Sequence, residues 1–484
     1  MRKHATLCLF LSCLQITLGA QEADITPCTI YNALCSVDLR SAIATLKIDS
    51  LTGPDAIPYG IVPAPSTYHD VIYSDNRCDE KDTITYCESN SEKLIYTVYY
   101  PDSVTNKKIK YTNIACGLPA VVMFHGGSFE ECSSLSSEGI RTVCIELALR
   151  GFVVFNVEYR RGVLVDRREV VPTIKNEYYA SQQMHAIYRA CQDARGAIRS
   201  IILRQRNSAS FQDPFRIDTT RMFVGGISAG SFISLNTAYY PNQDMINAIF
   251  PGVAANLGDI EQNTFYYADT TVEYYPNLKG VLNMWGSLQV PLSYTNNQGG
   301  FFSQNGITPK PQITFHGRLD SVFFADSVFI FFSPNNMSQG INFSKESNCM
   351  AYGTQYQFPA NNPATRDLLG LGGLNIYKFL KNLGVPAQLH IDCEAEHGLD
   401  DDSVNVGDPP YESNYGAASA VTRASTQSYI AGQAAVFFLA ILKGEATSIS
   451  GTTRFIECEN FRHGCGATNL DDDDAGCDDT DDCP

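Results

Sequence analysis

A serine lies at the centre of the segment whose residue types point most directly to chemistry. Residues 222–231 read MFVGGISAGS, so an apolar run leads into Gly226, Ser228 and Gly230, and a helical pattern follows. A G-x-S-x-G segment between a strand and a helix holds its serine at the tip of a sharp turn. The glycines avoid clashes that side chains would make in such a strained turn. We therefore predict that Ser228 is a nucleophile and that Gly226 and Gly230 build its turn.

A second glycine-containing segment lies upstream of this turn. The apolar run VVMF leads directly into His125, Gly126 and Gly127. Two successive glycines allow backbone N–H groups to approach the negatively charged oxygen of a tetrahedral intermediate. The N–H of Ala229, just after Ser228, would be a further donor. The sequence therefore predicts an oxyanion hole formed by Gly126, Gly127 and Ala229.

A serine nucleophile needs an imidazole base, and the base needs a carboxylate that fixes its tautomer. The chain has 8 histidines, and assigning the others to a leader, an extension, the oxyanion loop, a helix, a strand interior or the tail leaves His316 and His397. The acid lies between the nucleophile and the base along chains of this kind, which selects Asp320 and His397. Three further carboxylates close to His397 stay open as the acid: Asp392, Glu394 and Glu396.

Alternating strand and helix patterns must position these residues. The predicted strands cover 94–100, 120–124, 152–157, 222–227, 280–284, 312–316 and 387–392, and the predicted helices cover 180–203, 374–383 and 429–442. Short apolar runs that alternate with helices indicate βαβ units and therefore an α/β protein with a mostly parallel central sheet. Ser228, Asp320 and His397 each follow a predicted strand, and sites in such sheets lie at the carboxyl ends of the strands.

The N-terminus has the pattern of a secretory signal peptide. Arg2 and Lys3 precede a mostly apolar run over residues 7–18, and Gly19 and Ala20 offer a cleavage site before Gln21. The apolar run is too short to span a bilayer, and no later stretch is apolar enough to do so. Fourteen of the 16 cysteines would remain after cleavage, without C-x-x-C pairs, so disulfide bonds are expected. The sequence thus predicts a secreted protein, or a periplasmic one if the source is bacterial, with no membrane span.

The charge distribution excludes one class of partner and sets off the C-terminus. A net charge of −17 argues against nucleic acid, because phosphate binding needs clustered Lys and Arg. Eight acidic residues fall in the last fourteen, which predicts a solvated acidic tail. Ca²⁺ binding is the alternative, although the aspartates lack the alternating ligand positions of an ordered calcium site. We predict a signal peptide (1–20), a Cys-rich N-terminal extension (21–91), a catalytic domain (92–446) and an acidic Cys-containing tail (447–484).

Several motifs together resemble the α/β-hydrolase esterase and lipase families. The segments HGGSF, FNVEYRRG, QDARGAIRSI, IDTTRMFVGGISAGS, HGRLDSV and GVPAQLHIDCEAEHG are similar to successive landmarks of the H-G-G-bearing carboxylesterases and the hormone-sensitive-lipase-like group. The resemblance covers residues 92–446. It implies the α/β-hydrolase fold with helices on both faces of the sheet, and a structural role for Asp193.

The resemblance also implies roles at single positions and leaves the substrate open. It implies a Ser228–Asp320–His397 triad, with the oxyanion donors already named. Ile227 and Ser128 depart from the pattern of these families, and an insertion over about 325–365 lengthens the stretch between acid and base. Substrate preference therefore does not follow from any one subfamily.

The expected reaction is hydrolysis of a carboxylic ester through an acyl-serine intermediate. It needs no metal or organic cofactor. Small or medium esters with an apolar or aromatic acyl group are the favoured substrates, and a polymer-linked ester also suits an exported enzyme. Aromatic residues over 261–296 would either line the substrate pocket or form ordinary core. The alternatives are a catalytically silent cell-surface binding protein on a hydrolase scaffold and a serine peptidase of the same fold.

Overall fold

The computed structural model describes an α/β body and two short segments that precede it. The described residues are 48–51, 55–62, 92–101, 117–129, 138–160, 172–207, 215–250, 253–261, 266–291, 307–317, 320, 327–330, 368–392, 397 and 423–446. The strands are β1 (Ile48–Leu51), β2 (Ile57–Val62), β3 (Glu92–Pro101), β4 (Leu118–Phe124), β5 (Val153–Val157), β6 (Ile217–Ile227), β7 (Leu278–Met284), β8 (Leu288–Pro291), β9 (Gln312–Gly317), β10 (Ser327–Ile330), β11 (Leu368–Leu371) and β12 (Ala387–Asp392). The helices are α1 (Glu138–Ala148), α2 (Pro172–Arg206), α3 (Ala229–Tyr239), α4 (Gln243–Ile249), α5 (Val253–Leu257), α6 (Gly373–Asn382) and α7 (Arg423–Lys443).

A mostly parallel sheet forms the centre of this body. Its strands lie in the order β1–β3–β5–β4–β6–β7–β9–β12, and β2 pairs with β3 beside β1. The run from β5 to β12 is parallel throughout, whereas β3 is antiparallel to β5. A mostly parallel central sheet with helices was expected from the alternating pattern, and it is confirmed. It is consistent with the α/β-hydrolase fold.

All of the strands and helices predicted from apolar patterns are present. The largest difference is at α2, which begins at Pro172 rather than at residue 180. Among the strands it is at β6, which begins at Ile217 rather than at Met222. Its first half is only partly buried and contains Asp218 and Arg221, whereas the half that leads to the nucleophile is buried throughout. Continuous apolar runs mark strands that are covered on both faces, so a half-exposed extension of such a strand escapes that signal.

The sheet begins earlier in the chain than the predicted catalytic domain. β1 and β2 fall within the region that the sequence assigns to the N-terminal extension, and both pair antiparallel with β3. Tyr59 of β2 is buried, and its hydroxyl donates to the Glu158 carbonyl at 2.6 Å. Part of this region is therefore integrated into the central sheet, and the domain boundaries stay predictions.

Two pairs of helices pack on the sheet. Helix α3 contacts β4, β6 and β7 and is backed by α2, while α1 and α7 pack on each other and on β5 and β7. Phe223 of β6 stacks on Phe438 of α7 with ring centroids 3.9 Å apart. Every residue of β4 is buried, as is every residue of α3. Burial of these apolar side chains supplies most of the stabilisation of the body.

A small antiparallel sheet joins three segments near the ends of β7 and β9. Its order is β10–β11–β8. β8 follows β7 after a short turn, and β11 leads directly into α6. The chain between β10 and β11 contains most of the insertion predicted over about 325–365, and residues 331–367 lie outside the described part of the structure.

The two cysteines within the described residues are unpaired. Cys144 in α1 and Cys191 in α2 are buried free thiols. The expectation that the cysteines pair is therefore wrong for these two, which occupy core positions as small apolar residues. The other cysteines, the signal peptide and the acidic tail with its Ca²⁺ alternative lie outside the described residues. Among the described helices, none is long and apolar enough to cross a membrane.

A thiol titration should separate the two buried thiols from the remaining cysteines. Burial raises the pKa of the Cys191 thiol to about 12 and that of Cys144 well above its ordinary value, so neither should react with Ellman's reagent in the folded protein. If all other cysteines of the mature chain pair, unfolding without a reductant should release two thiols. The double variant Cys144→Ala/Cys191→Ala should then release none. A count well above two in the unfolded wild type would contradict the disulfide prediction.

Candidate active site

The turn between β6 and α3 holds Ser228 in a strained conformation. The serine has φ 51° and ψ −115°, a region that residues with a Cβ rarely occupy. Its N–H donates to the Met284 carbonyl of β7 at 3.0 Å, and its carbonyl accepts the first helical hydrogen bond from Phe232. The serine is 8 % exposed. Neighbouring strands and the following helix therefore fix the backbone on both sides of the hydroxyl.

The two glycines of the turn are required by close backbone approaches. A Cβ on Gly226 would lie 2.2 Å from the carbonyl carbon of Gly230, and one on Gly230 would lie 1.9 Å from the Phe124 carbonyl oxygen. Phe124 is the last residue of β4, so the turn presses directly on the strand that leads into the H-G-G segment. The steric reason for the glycines in the predicted turn is thus found at both positions.

Ser231 is a further residue next to the nucleophile that the sequence patterns do not single out. Its hydroxyl contacts the Gly226 carbonyl and lies 2.9 Å from the Met284 carbonyl, and it accepts a hydrogen bond from the Met284 N–H at 2.8 Å. The side chain is fully buried. It therefore ties the turn to β7 next to the nucleophile.

The structure brings the Ser228 hydroxyl and the His397 imidazole together. Ser228 Oγ lies 2.8 Å from His397 Nε2, and His397 Nδ1 lies 3.0 and 2.9 Å from the two carboxylate oxygens of Asp320. A carboxylate can only accept, so the imidazole proton belongs on Nδ1. Nε2 is then left to accept the hydroxyl proton of Ser228. The imidazole side chain is 21 % exposed, whereas that of Asp320 is fully buried.

Asp320 is ionised by its neighbours despite its burial. Burial alone would raise the pKa of this carboxyl group, but hydrogen bonds from His316 and His397 outweigh it and hold the pKa well below its ordinary value. His316 Nε2 lies 3.2 Å from Asp320 Oδ2. Of the other carboxylates considered as the acid, Glu394 and Glu396 lie outside the described residues, and Asp392 ends β12.

His316 is therefore a second histidine on the predicted acid. The sequence offered it as a candidate base, because it ends a strand and precedes Asp320 by four residues, but it did not predict this contact. The side chain is fully buried, and a Cβ on Gly373 would lie 2.9 Å from its Nδ1. The start of α6 thus packs tightly on the imidazole. His316 holds one oxygen of Asp320 from the strand side while His397 contacts both.

The H-G-G segment lies against the nucleophile turn. A Cβ on Gly126 would lie 3.3 Å from the Ile227 carbonyl oxygen and 3.5 Å from the Ser228 Cβ. Gly127 has φ 107°, a conformation that favours glycine, and Ser128 and Phe129 also have positive φ. The loop thus turns sharply beside the serine.

Ala229 begins helix α3 immediately after the serine. N–H groups in the first turn of a helix have no partner within that helix, and they lie at its positive end. The glycine segment and this helix start therefore both lie next to Ser228, where the oxyanion donors are predicted.

The aromatic segment over 261–296 includes residues that belong to the packed interior. The Tyr266 hydroxyl donates to Asp193 at 2.6 Å, and the Tyr274 hydroxyl donates to Glu261 at 3.2 Å. Trp285 is different, because it follows β7 directly, is buried and has φ 43°. β7 is the neighbour of β6, so Trp285 lies at the strand end beside the nucleophile turn.

The described residues do not include a cluster of three or more His, Cys, Asp or Glu side chains that could hold a metal ion. The candidate site thus combines the Ser228 hydroxyl, the His397 imidazole, the buried Asp320 carboxylate and nearby backbone amides. Such a set can remove a proton from the hydroxyl, stabilise the resulting imidazolium and stabilise an oxyanion.

Comparisons with known proteins give similarity only at the level of solved structures. No protein-family model matches the sequence, and no curated protein matches it. The apo form of esterase 2 from Thermogutta terrifontis aligns with a TM-score of 0.38 at 15% identity, over 79% of this chain and 97% of that chain. The butyrate-bound form of that planctomycete esterase gives a TM-score of 0.37 at 15% identity, over 73% and 91% of the two chains. The form of that esterase phosphoramylated by tabun gives a TM-score of 0.37 at 16% identity, over 73% of this chain and 91% of that chain.

The replacement Gly230→Ala should prevent the turn from forming. The added methyl group would overlap the Phe124 carbonyl, so we expect a loss of at least about 3 kcal/mol in the free energy of unfolding. Urea unfolding followed by fluorescence measures this, because Trp285 is the only tryptophan and is buried. Gly384→Ala is the matched control. Its Cβ meets open space at φ 68°, so only backbone strain of about 1 kcal/mol is expected. Equal losses in the two variants would contradict the steric explanation.

The ionised state of Asp320 should appear in the pH dependence of stability. Its pKa is lower in the folded than in the unfolded chain, so its contribution is fully present above about pH 4 and is lost as the pH falls towards the folded pKa. Asp320→Asn should therefore flatten the fall in the free energy of unfolding below about pH 4. Asp244→Asn, which removes an exposed charge from α4, controls for net charge. Parallel curves for wild type and Asp320→Asn would rule out the low pKa.

Proposed function

We propose that this protein is a serine hydrolase that cleaves carboxylic esters through an acyl-serine intermediate. The observation that supports it most directly is the 2.8 Å contact between Ser228 Oγ and His397 Nε2 at a strained turn. In this proposal Ser228 is the nucleophile, His397 the base and Asp320 the acid. Gly126, Gly127 and Ala229 supply the oxyanion donors.

In the first half of the reaction, the Ser228 hydroxyl attacks the ester carbonyl while its proton passes to His397 Nε2. The carbonyl π electrons move to the oxygen, and backbone N–H groups stabilise the resulting oxyanion. Asp320 stabilises the imidazolium through Nδ1. When the carbonyl re-forms, the C–O bond to the alcohol breaks, and the imidazolium protonates the leaving alkoxide. The acyl group then remains on Ser228.

In the second half, water enters and loses a proton to His397 as it attacks the acyl-serine. The same oxyanion forms and collapses, Ser228 regains its proton from the imidazolium, and the carboxylic acid leaves. Both halves use one base and one oxyanion site, so no metal or organic cofactor takes part. Small or medium esters with an apolar or aromatic acyl group are the proposed substrates, with polymer-linked esters as the alternative.

Export of the protein belongs to the same proposal. It is supported by the basic and apolar pattern of residues 1–20 and by the cysteine content of the chain. The thiol count described above tests it, because a protein that matures in a reducing compartment would titrate with nearly all of its thiols.

Hydrolysis of p-nitrophenyl esters tests the chemistry, with Ser228→Ala as the main variant. Loss of the nucleophile should lower kcat/KM for p-nitrophenyl butyrate at least about 1,000-fold. Ser234→Ala is the matched control, because Ser234 is a buried serine of the same helix. Its hydroxyl donates to the Gly230 carbonyl and does not contact His397. Equal activity in wild type and Ser228→Ala, or no turnover by the wild type across chain lengths, would refute an esterase.

Two further results distinguish the alternatives. A fluorophosphonate should label the wild type at Ser228 and leave Ser228→Ala unlabelled, whereas a catalytically silent binding protein would not react. Asp320→Asn should also lower kcat strongly, because the wrong imidazole tautomer would face the serine. Near-normal activity in that variant would move the acid role to Asp392 or a nearby glutamate.

A further inference from the structure

A tyrosine behind the H-G-G segment contacts the carbonyl side of the predicted oxyanion loop. Tyr159 follows β5 and is buried. Its hydroxyl lies 2.9 Å from the His125 carbonyl oxygen and 3.4 Å from that of Gly126. Carbonyl oxygens only accept, so the hydroxyl donates, and the nearer His125 carbonyl receives the stronger bond.

The imidazole of His125 makes the corresponding contact one peptide further along. His125 Nδ1 lies 2.7 Å from the Gly126 carbonyl oxygen and therefore carries the donated proton. The ring stacks on Tyr159 with centroids 4.3 Å apart and planes 14° from parallel. Its Nε2 lies 3.5 Å from a carboxylate oxygen of Glu158. The two side chains thus hold two consecutive peptide carbonyls.

Those two carbonyls belong to the same peptide groups as the predicted oxyanion donors. The peptide that contains the His125 carbonyl also contains the Gly126 N–H, and the next peptide joins the Gly126 carbonyl to the Gly127 N–H. A trans peptide is planar, and its C=O and N–H point in opposite directions. A donor that fixes the direction of the carbonyl from behind therefore fixes the direction of the N–H in front.

Tyr159 is itself held by a buried ion pair. The next residue, Arg160, donates its backbone N–H to Asp193 at 2.7 Å, and its guanidinium lies 2.7–3.0 Å from the same carboxylate. Both side chains are almost fully buried. Asp193 was expected to be structural, and this contact shows what it orders: the backbone immediately after Tyr159.

From the other side, Phe129 links the loop to the nucleophile helix. Its ring lies 6.2 Å from that of Tyr159 and 6.3 Å from that of Phe232 in α3, the latter edge to face. The loop is therefore packed between the residue that holds its carbonyls and the helix that begins at Ala229. Positive φ at three successive residues requires such support, because these conformations are strained for residues other than glycine.

We propose that Tyr159 and His125 are positioning residues that orient the Gly126 and Gly127 N–H groups towards the oxyanion. Neither residue reacts. Each holds one peptide plane from its carbonyl side, so that the donors need no reorganisation when charge develops in the transition state. The inference rests on the proposed ester hydrolysis and extends it to the groups that pre-organise the oxyanion hole.

Tyr159→Phe tests the first plane, because it removes the hydroxyl and keeps the ring that stacks on His125. With p-nitrophenyl butyrate, kcat should fall roughly 10- to 100-fold, less than the loss of a whole oxyanion donor, while KM changes by less than about two-fold. The inhibition constant of an aryl trifluoromethyl ketone, whose hemiketal oxygen occupies the oxyanion site, should rise by the factor by which kcat/KM falls.

Tyr188→Phe is the matched control for a lost buried tyrosine hydroxyl. The Tyr188 hydroxyl donates to the Gly258 carbonyl at 2.8 Å, away from the described site, so kcat and KM should stay within about two-fold of wild type. His125→Phe is a second variant that tests the other plane, since it removes the Nδ1 donor and keeps a ring that can stack on Tyr159. It should show the same fall in kcat and the same weakening of the ketone.

The results separate this inference from the proposed function. A wild type that turns over no ester overturns both. A wild type that is active, with Tyr159→Phe and His125→Phe folded and within about two-fold of its kcat, overturns the positioning role alone. The positioning role is also overturned if these variants raise KM while kcat stays constant. It is overturned as well if their fall in kcat is no larger than that of Tyr188→Phe. The expected split between kcat and KM, with parallel loss of ketone affinity, supports it.

Discussion

The close approach of the nucleophile turn to the end of β4 is the constraint on which the candidate site depends. Backbone atoms of Gly230 and Phe124 are so near that a single methyl group at Gly230 would lie 1.9 Å from a carbonyl oxygen. This contact sets the distance between Ser228 and the H-G-G loop, because that loop begins one residue after Phe124. The geometry of the site therefore depends on glycine at positions 226 and 230 as well as on the side chains of Ser228, Asp320 and His397.

Asp320 shows how a buried charge is kept in a functional state. Its carboxylate has no exposed surface, and burial opposes ionisation, yet two imidazoles donate to it. Removal of either histidine would leave a buried carboxylate with fewer donors, which is costly in a medium of low polarity. His316 therefore gives the carboxylate a second donor besides His397, which must gain and lose a proton during each turnover of the proposed reaction.

Much of the fold was predictable because buried parallel strands leave a strong signal, a continuous apolar run. Ser228, Asp320 and His397 could be selected because each follows such a run, and the structure brings them together. β1 and β2 were not predicted, because β1 is short and half polar and β2 contains Pro58 and Gly60, residues that strands usually lack. The roles of His316, Ser231 and Tyr159 depend on contacts between segments far apart in sequence or on side-chain direction, which residue type alone does not reveal.

The pairing of β10 with β11 has a consequence for how this protein can diversify. Ser327 opposes Leu371 and Ile330 opposes Leu368. The residues that flank 331–367, Ile330 and Leu368, are therefore held next to each other by strand pairing. The entropy of closing a loop between fixed ends grows only slowly with its length. Insertions or deletions between these strands should therefore leave Asp320 before β10 and Gly373 after β11 undisturbed. The chain between β10 and β11 can therefore change in length and sequence while the pairing of these two strands stays the same.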